Sequence, residues 1–262
     1  MKGIYIRSVY YLGVTAGGSV THTSGVINAL SKKVTLDVFA NEKLVGVDRK
    51  TRVIPAILKN IPVFGELFYN ILFIRKIKKK INEYQFVYQR FSGESFCGAF
   101  LANKYKIPFI LEFNSSEVWK LKNWSKTNST IKNFFKKYVQ LPIVKKNEAY
   151  NLKKANIIVV VSDVLKENLT AIGVPPEKIL VNPNGVDLER FSISPSASKI
   201  KDKFNLQSHY TFGFIGTFGK WHGVVELAKS IVIFFDKNTE LIQSVKFLIM
   251  GDGKLFPEVS HI

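Results

Sequence analysis

Cysteine is nearly missing from this sequence. The single Cys97 cannot form an intrachain disulfide, which excludes a disulfide-stapled secreted scaffold and fits a reducing compartment. Long hydrophobic runs are missing too: the longest mostly apolar stretch, Ile61–Ile74, carries Glu66 and Asn70 and is too short to span a bilayer. At the amino end, Lys2 and Arg7 flank only a short apolar stretch that reads as a first strand, not as a secretory signal. A cytoplasmic location is expected. Acids are scarce, 20 against 38 Lys and Arg, and Arg7, Arg49, Arg52, Arg75, Arg90 and Arg190 are the only arginines. The net charge of +18 suggests an anionic partner. Nucleic-acid readers lean on arginine for bidentate contacts, however, and no recognised nucleic-acid module accompanies the lysines, so nucleic acid is not expected as a partner.

What remains is an ordinary globular composition, 46% hydrophobic over 262 residues, enough for one full α/β domain and part of another. The lysines are unevenly spread. Arg75, Lys76, Lys78, Lys79 and Lys80 form one cluster, and ten lysines between Lys120 and Lys154 face a single acid, Glu148. Leu72, Phe73, Ile74, Ile77, Phe134, Phe135, Tyr138, Val139 and Leu141 are interleaved with them, the pattern of basic amphipathic helices. Such helices suit an anionic membrane surface, here the inner face of the cell membrane, or are plain solvated faces.

Strand and helix patterns alternate from the start. Strands are predicted at Gly3–Val9, Val34–Ala40, Phe86–Gln89, Pro108–Phe113, Asn156–Val161 and Lys178–Asn182, with helical spacing at Ser19–Ser31 and Phe64–Ile81. This predicts an α/β fold with a parallel sheet covered on both faces. Residues 1–192 are expected to form this first domain. A Ser-rich stretch, Phe191–Lys199, reads as a linker. In residues 193–262 a second β-α-β unit then begins, with strands at Tyr210–Ile215 and Val245–Met250 around a helix at Val224–Phe235.

Ligands of open parallel sheets bind at the carboxyl ends of the strands. Gly17 and Gly18 follow the first strand there, where missing Cβ atoms let backbone approach a phosphate or sugar; a tight turn explains the pair equally well. His22 lies one turn into the next helix, and Asn114 follows the strand ending at Phe113, with Ser115 or Ser116 available to cap the helix beyond. In the second unit Gly216, Thr217, Lys220 and His222 follow a strand. Two other phosphate-handling classes lack their motifs. Gly213-x-x-Gly216-x-x-Gly219 has the wrong spacing for a dinucleotide fold, Gly251-x-Gly253 lacks a third glycine, and Gly219-Lys220 is followed by Trp221, not by the Ser or Thr of a P-loop.

One stretch is more specific. Asn182-Pro183-Asn184-Gly185-Val186-Asp187, followed by Arg190-Phe191, resembles the signature joining the two halves of family-4 glycosyltransferases of the GT-B fold. Gly17-Gly18-Ser19-Val20-Thr21-His22, Val159–Leu165, Gly213–Phe218, Trp221–Val224 and Phe247–Gly253 resemble further family motifs in the family's order. The resemblance implies two Rossmann-like domains, the first complete and the second begun. It also implies a retaining transfer of a hexose from a nucleotide sugar to a glycan or lipid-linked acceptor, in envelope or surface polysaccharide synthesis. No cofactor or metal is implied. The acceptor would lie near Gly18, with His22 and Asn114 as catalytic-site residues. Gly17, Gly18, Asn184, Gly216, Thr217, Lys220 and His222 would hold the donor. Departures are clear: Thr217 and His222 stand where the family usually has Arg and Lys, so Lys220 is the candidate for the missing charge, and Asn114 stands where many members have His. The family's acidic donor-domain motif would lie beyond Ile262, so residues 1–262 alone are expected to be inactive, or the remnant of such an enzyme.

Overall fold

The computed structural model describes residues 1–8, 17–55, 61, 63–124, 129–186, 188 and 197–262. Most of the Phe191–Lys199 linker, the start of the glycine loop before Gly17, and Asp187, Arg190 and Phe191 of the joining motif lie outside them. The chain divides into two compact units, Met1–Gly185 and Val186–Ile262.

The first unit is a seven-stranded sheet. Its strands are β1 (Lys2–Arg7), β2 (Thr35–Ala40), β3 (Thr51–Val53), β4 (Phe86–Arg90), β5 (Phe109–Glu112), β6 (Ile157–Val160) and β7 (Ile179–Val181), in the order β3-β2-β1-β4-β5-β6-β7. All pairings are parallel. Parallel strands need crossovers, so both faces are covered. Strand alternation sorts the side chains into two apolar layers. Tyr5, Val38, Phe86 and Tyr88 pack with Ile27 of α1 (Gly18–Ser31) on one face. On the other, Ile4, Ile6, Val87 and Leu111 pack with Tyr69, Phe73 and Ile77 of α2 (Phe64–Ile77) and Leu101 of α3 (Cys97–Tyr105). Phe73 and Ile77 are therefore core, and the Arg75–Lys80 cluster beside them is a solvated face at the carboxyl end of α2, where cations are favourable.

Past β5 the chain forms α4 (Glu117–Asn123), α5 (Thr130–Phe135), a π-turn at Lys136–Gln140 and α6 (Leu141–Lys154). Glu148, the lone acid among those lysines, is buried and accepts from Ser116 Oγ (2.7 Å) and from the backbone amides of Glu117 (2.9 Å) and Val118 (3.3 Å). It ties α6 to the start of α4. Of the two candidate caps, Ser116 serves, accepting from the Trp119 amide. The unit closes with α7 (Asp163–Ala171), capped by Ser162, and β7.

The second unit contains α8 (Ala197–Lys203), β8 (Tyr210–Ile215), α9 (Val224–Lys237), β9 (Val245–Met250) and α10 (Phe256–His261). Helix α8 takes the last residues of the expected linker. β8 and β9 pair in parallel from Tyr210↔Val245 to Ile215↔Met250. Tyr210, Phe212 and Ile215 of β8 are exposed.

Candidate active site

Three strands side by side in the first unit, β1, β4 and β5, each end in a charged residue: Arg7, Arg90 and Glu112. Their register sets Arg7 beside Arg90 and Arg90 beside Glu112. Each lies two residues beyond Tyr5, Tyr88 or Ile110, so the row continues the α1-facing layer. Glu112 is its hub and is fully buried. Its Oε1 pairs with Arg90 Nη1, accepts from Asn114 Nδ2 (2.7 Å) and lies 3.0 Å from His22 Nε2, close enough for an ion pair but not aligned for a hydrogen bond. Its Oε2 accepts from Tyr5 Oη at 3.1 Å. Burial alone would raise the Glu112 carboxyl; contact with His22, the Arg90 charge and the Asn114 amide outweigh it and hold the group down at about 2. Glu112 is thus a fixed anion.

The structure brings His22 and Asn114 together on this hub, although neither residue's sequence context contains it. Among the described residues, the buried Arg7 Nε, Ser8 Oγ and Asn114 Oδ1 at or next to the carboxyl ends of these strands make no hydrogen bond. Gly17 opens α1 at φ 111°, a backbone conformation that L side chains rarely adopt, and no side chain caps the helix. Asn184 does not join this group. It is exposed beyond β7, two strands from β5.

A second buried network supports the loop after β4. Asn70 accepts from the amides of Phe96 (2.7 Å) and Cys97 (2.9 Å) and so opens α3, while Gln89 accepts from the Gly98 amide (2.7 Å) and donates to Asn151 (3.0 Å). Glu66 is buried beside Glu94; burial first, then the neighbouring carboxyl, push it well above the ordinary range. Ser92 reaches Glu66 (3.3 Å) and the Ser8 carbonyl, joining this network to the end of β1. Nothing in the local sequence marks these contacts, except that Glu66 and Asn70 interrupt an apolar run at helical spacing. Two open depressions lie elsewhere, one along α7 and one at Lys106, Lys154 and Asn156, at the amino ends of β5 and β6. The polar cluster at the strands' carboxyl ends is the better candidate, on both strand direction and chemistry.

In the second unit the four expected donor residues follow β8. The Gly216 amide bonds the Met250 carbonyl (3.0 Å) and the Phe218 amide the Asp252 carbonyl (2.9 Å), locking the turns after β8 and β9 together. A Cβ on Gly251 would overlap the Gly216 carbonyl oxygen, so that position admits only glycine. His222 Nδ1 lies against the Thr217 carbonyl and 3.2 Å from Thr217 Oγ1. A ring nitrogen against a carbonyl must carry the proton, which leaves Nε2 as the other ring nitrogen. Lys220 is exposed in the same turn. Gly223, at φ 63°, starts α9 without a side-chain cap, and the first intrahelical bond runs from Leu227 to Gly223. The amides of Val224, Val225 and Glu226 precede it and have no acceptor within the helix. Among the described residues no three His, Cys, Asp or Glu side chains gather as a metal site.

The sequence profile of Glycosyltransferase Family 4 matches residues 16–190. The chain belongs to glycosyltransferase family 4. No curated protein sequence matches it. Among solved structures it is similar to a glycosyltransferase from Rickettsia africae (18% identity, TM-score 0.62, covering 99% of this chain and 62% of that one). It is also similar to HepE of Anabaena in complex with UDP and glucose (16%, 0.58, 95% and 69%) and to sucrose-phosphate synthase from Thermosynechococcus elongatus (15%, 0.63, 95% and 71%). The chain thus spans about two thirds of the length of these proteins. Identities this low carry the fold alone: the family-4 chain is an α/β protein of the GT-B type, with a Rossmann-like parallel sheet.

Proposed function

We propose that this family-4 protein moves a hexose from a nucleoside-diphosphate sugar to a glycan or lipid-linked acceptor in surface polysaccharide synthesis. The observation that carries this reading is the turn after β8, where Lys220, His222 and the uncapped start of α9 stand together. As the sugar leaves, negative charge grows on the diphosphate. Aligned amides and an ammonium stabilise it without reorganising. The acceptor O–H bond breaks, its oxygen bonds the anomeric carbon, the bond to the diphosphate breaks, and the acceptor proton passes to the departing diphosphate. We infer net retention of anomeric configuration, and independence from metal because the helix amides and Lys220 supply the positive charge. The acceptor lies at the Glu112 cluster, where Asn114 Oδ1 offers an acceptor to a sugar hydroxyl.

A membrane-bound acceptor fits the surface of the first unit. Ile131 (82% exposed), Phe134 (64%) and Tyr138 (56%) line up at helical spacing with Lys132 and Lys137 beside them, and among the described residues no helix is long and apolar enough to cross a bilayer. We place the protein in the cytoplasm, docked on the inner face of the membrane.

Thermal stabilisation by UDP, UDP-glucose and UDP-N-acetylglucosamine tests the donor assignment. A rise in melting temperature with a nucleotide sugar, unaffected by EDTA, is expected; steeply salt-dependent DNA retention with no nucleotide effect would replace it with the basic-protein reading. UDP-GlcNAc 2-epimerases share the fold, as in the Neisseria meningitidis enzyme bound to UDP-GlcNAc (15% identity, TM-score 0.57). Conversion of the nucleotide sugar without an acceptor would move the protein into that class.

A further inference from the structure

Arg7 closes β1 as a buried cation. It is 6% exposed, and among the described residues its guanidinium makes no hydrogen bond and no ion pair. Its register neighbour is another guanidinium, Arg90. The nearest carboxylate in the row, Glu112, is already engaged on both oxygens, by Arg90 and Asn114 on one and Tyr5 on the other. Burial and then the Arg90 charge both pull the Arg7 guanidinium below its ordinary value, and Tyr5, Glu42 and Glu112 reverse only part of that. Next in the chain, Ser8 Oγ is buried and, among the described residues, also makes no hydrogen bond.

A buried guanidinium next to another cation opposes folding unless something anionic joins it. A neutral sugar leaves that imbalance in place; an oxyanion removes it. We propose that Arg7 and Ser8 hold an anionic group of the acceptor, a phosphate or a carboxylate. This rests on the reading of the first unit as the acceptor side. Arg7 offers a planar fork of donors and Ser8 a hydroxyl, a set that matches either oxyanion. The acceptor is then a sugar phosphate, free or lipid-linked, or an acidic sugar.

The test is calorimetric titration of the full chain with methyl phosphate and, separately, glucuronate, in wild type, Arg7→Gln and Lys220→Ala. At least one anion should bind, about tenfold or more weaker in Arg7→Gln, as expected for losing a charge-assisted hydrogen bond, and unchanged in Lys220→Ala. The anion that binds more tightly names the source. Binding of neither anion, or equal binding by Arg7→Gln, overturns the proposal; loss in Lys220→Ala alone overturns it by moving the anion to the turn after β8. A melting curve without ligand separates a site from a structural strut. Arg7→Met should melt at the wild-type temperature or above it, and a clear drop would show that Arg7 holds the fold together, against the proposal. Loss of UDP-sugar stabilisation in wild type is a separate readout that bears on the donor assignment alone.

Discussion

Replacing Glu112 with Gln probes the charged row most directly. The amide is nearly isosteric and can still accept from Tyr5 or Asn114, but it removes the anion that faces Arg90 and His22. A carboxyl held at about 2 in place of its ordinary 4.5 corresponds to roughly 3 kcal/mol in favour of the folded, ionised state. Removing one partner of a buried pair costs about 3–5 kcal/mol by independent precedent, so the two routes agree. In a unit of this size each kcal/mol moves the melting temperature by about 2–4 °C, which puts the expected loss at roughly 6–12 °C near neutral pH. The pH dependence has a definite sign. Because the folded carboxyl sits below its ordinary value, its contribution is complete above 4.5 and drains away as pH falls toward about 2. The gap between wild type and Glu112→Gln should therefore narrow in melts taken at pH 3, if both remain folded there. The double variant Arg90→Met, Glu112→Leu should lose less than Glu112→Gln, since it leaves no orphaned Arg90 charge. A single variant that melts within about 2 °C of wild type at neutral pH would refute the view of Glu112 as the row's counter-ion.

Other expectations follow from particular residues. Lys220→Ala should weaken nucleoside-diphosphate binding by about 1.5–3 kcal/mol by calorimetry; an unchanged affinity rejects Lys220 as a phosphate ligand. Gly251→Ala should loosen the joined turns after β8 and β9, because its Cβ meets the Gly216 carbonyl, and should speed proteolysis within residues 197–262; an unaltered cleavage rate counts against the packing described. Vesicle sedimentation should retain the protein on anionic but not neutral lipid, with retention reduced in Ile131→Ser, Phe134→Ser; equal partitioning to both lipids dismisses the docking face. Glu66→Gln should gain stability relative to wild type as pH rises above 4.5, because a carboxyl raised by folding is progressively harder to keep protonated; a pH-independent difference in chemical denaturation would remove Glu66 from the buried acid pair.

Much of the sheet was legible because parallel strands buried on both faces read as short apolar runs between helical stretches. β1, β2, β4, β5, β6, β7, β8 and β9 fall within a residue or two of their predicted places. β3 carries no such signal: it is a three-residue edge strand, Thr51–Val53, with no apolar alternation of its own. The Lys-rich segments were harder to separate. Their composition is alike, yet Phe73 and Ile77 are core while Ile131 and Phe134 are exposed, and only packing against the sheet distinguishes them.

The site was legible in one half and hidden in the other, for a physical reason. The turn after β8 is built from neighbours in the chain, Gly216 through Gly223, so its residues declare themselves together. The Glu112 hub is assembled across strands, from Arg7, Arg90 and Glu112, which are far apart in sequence and adjacent only through the sheet order. Taken singly, a charged residue closing an apolar strand looks like a strand end meeting solvent. The informative feature is that three neighbouring strands close on charges of mixed sign, with Arg7 and Glu112 buried and Arg90 partly so, since solvated strand ends have no need of a compensated row. Glu112 satisfies Arg90, His22 and Asn114 but leaves Arg7 outside. A row made only to stabilise the sheet would place an apolar or neutral residue at position 7. Keeping a cation there is therefore better explained by what the row binds than by how the sheet folds.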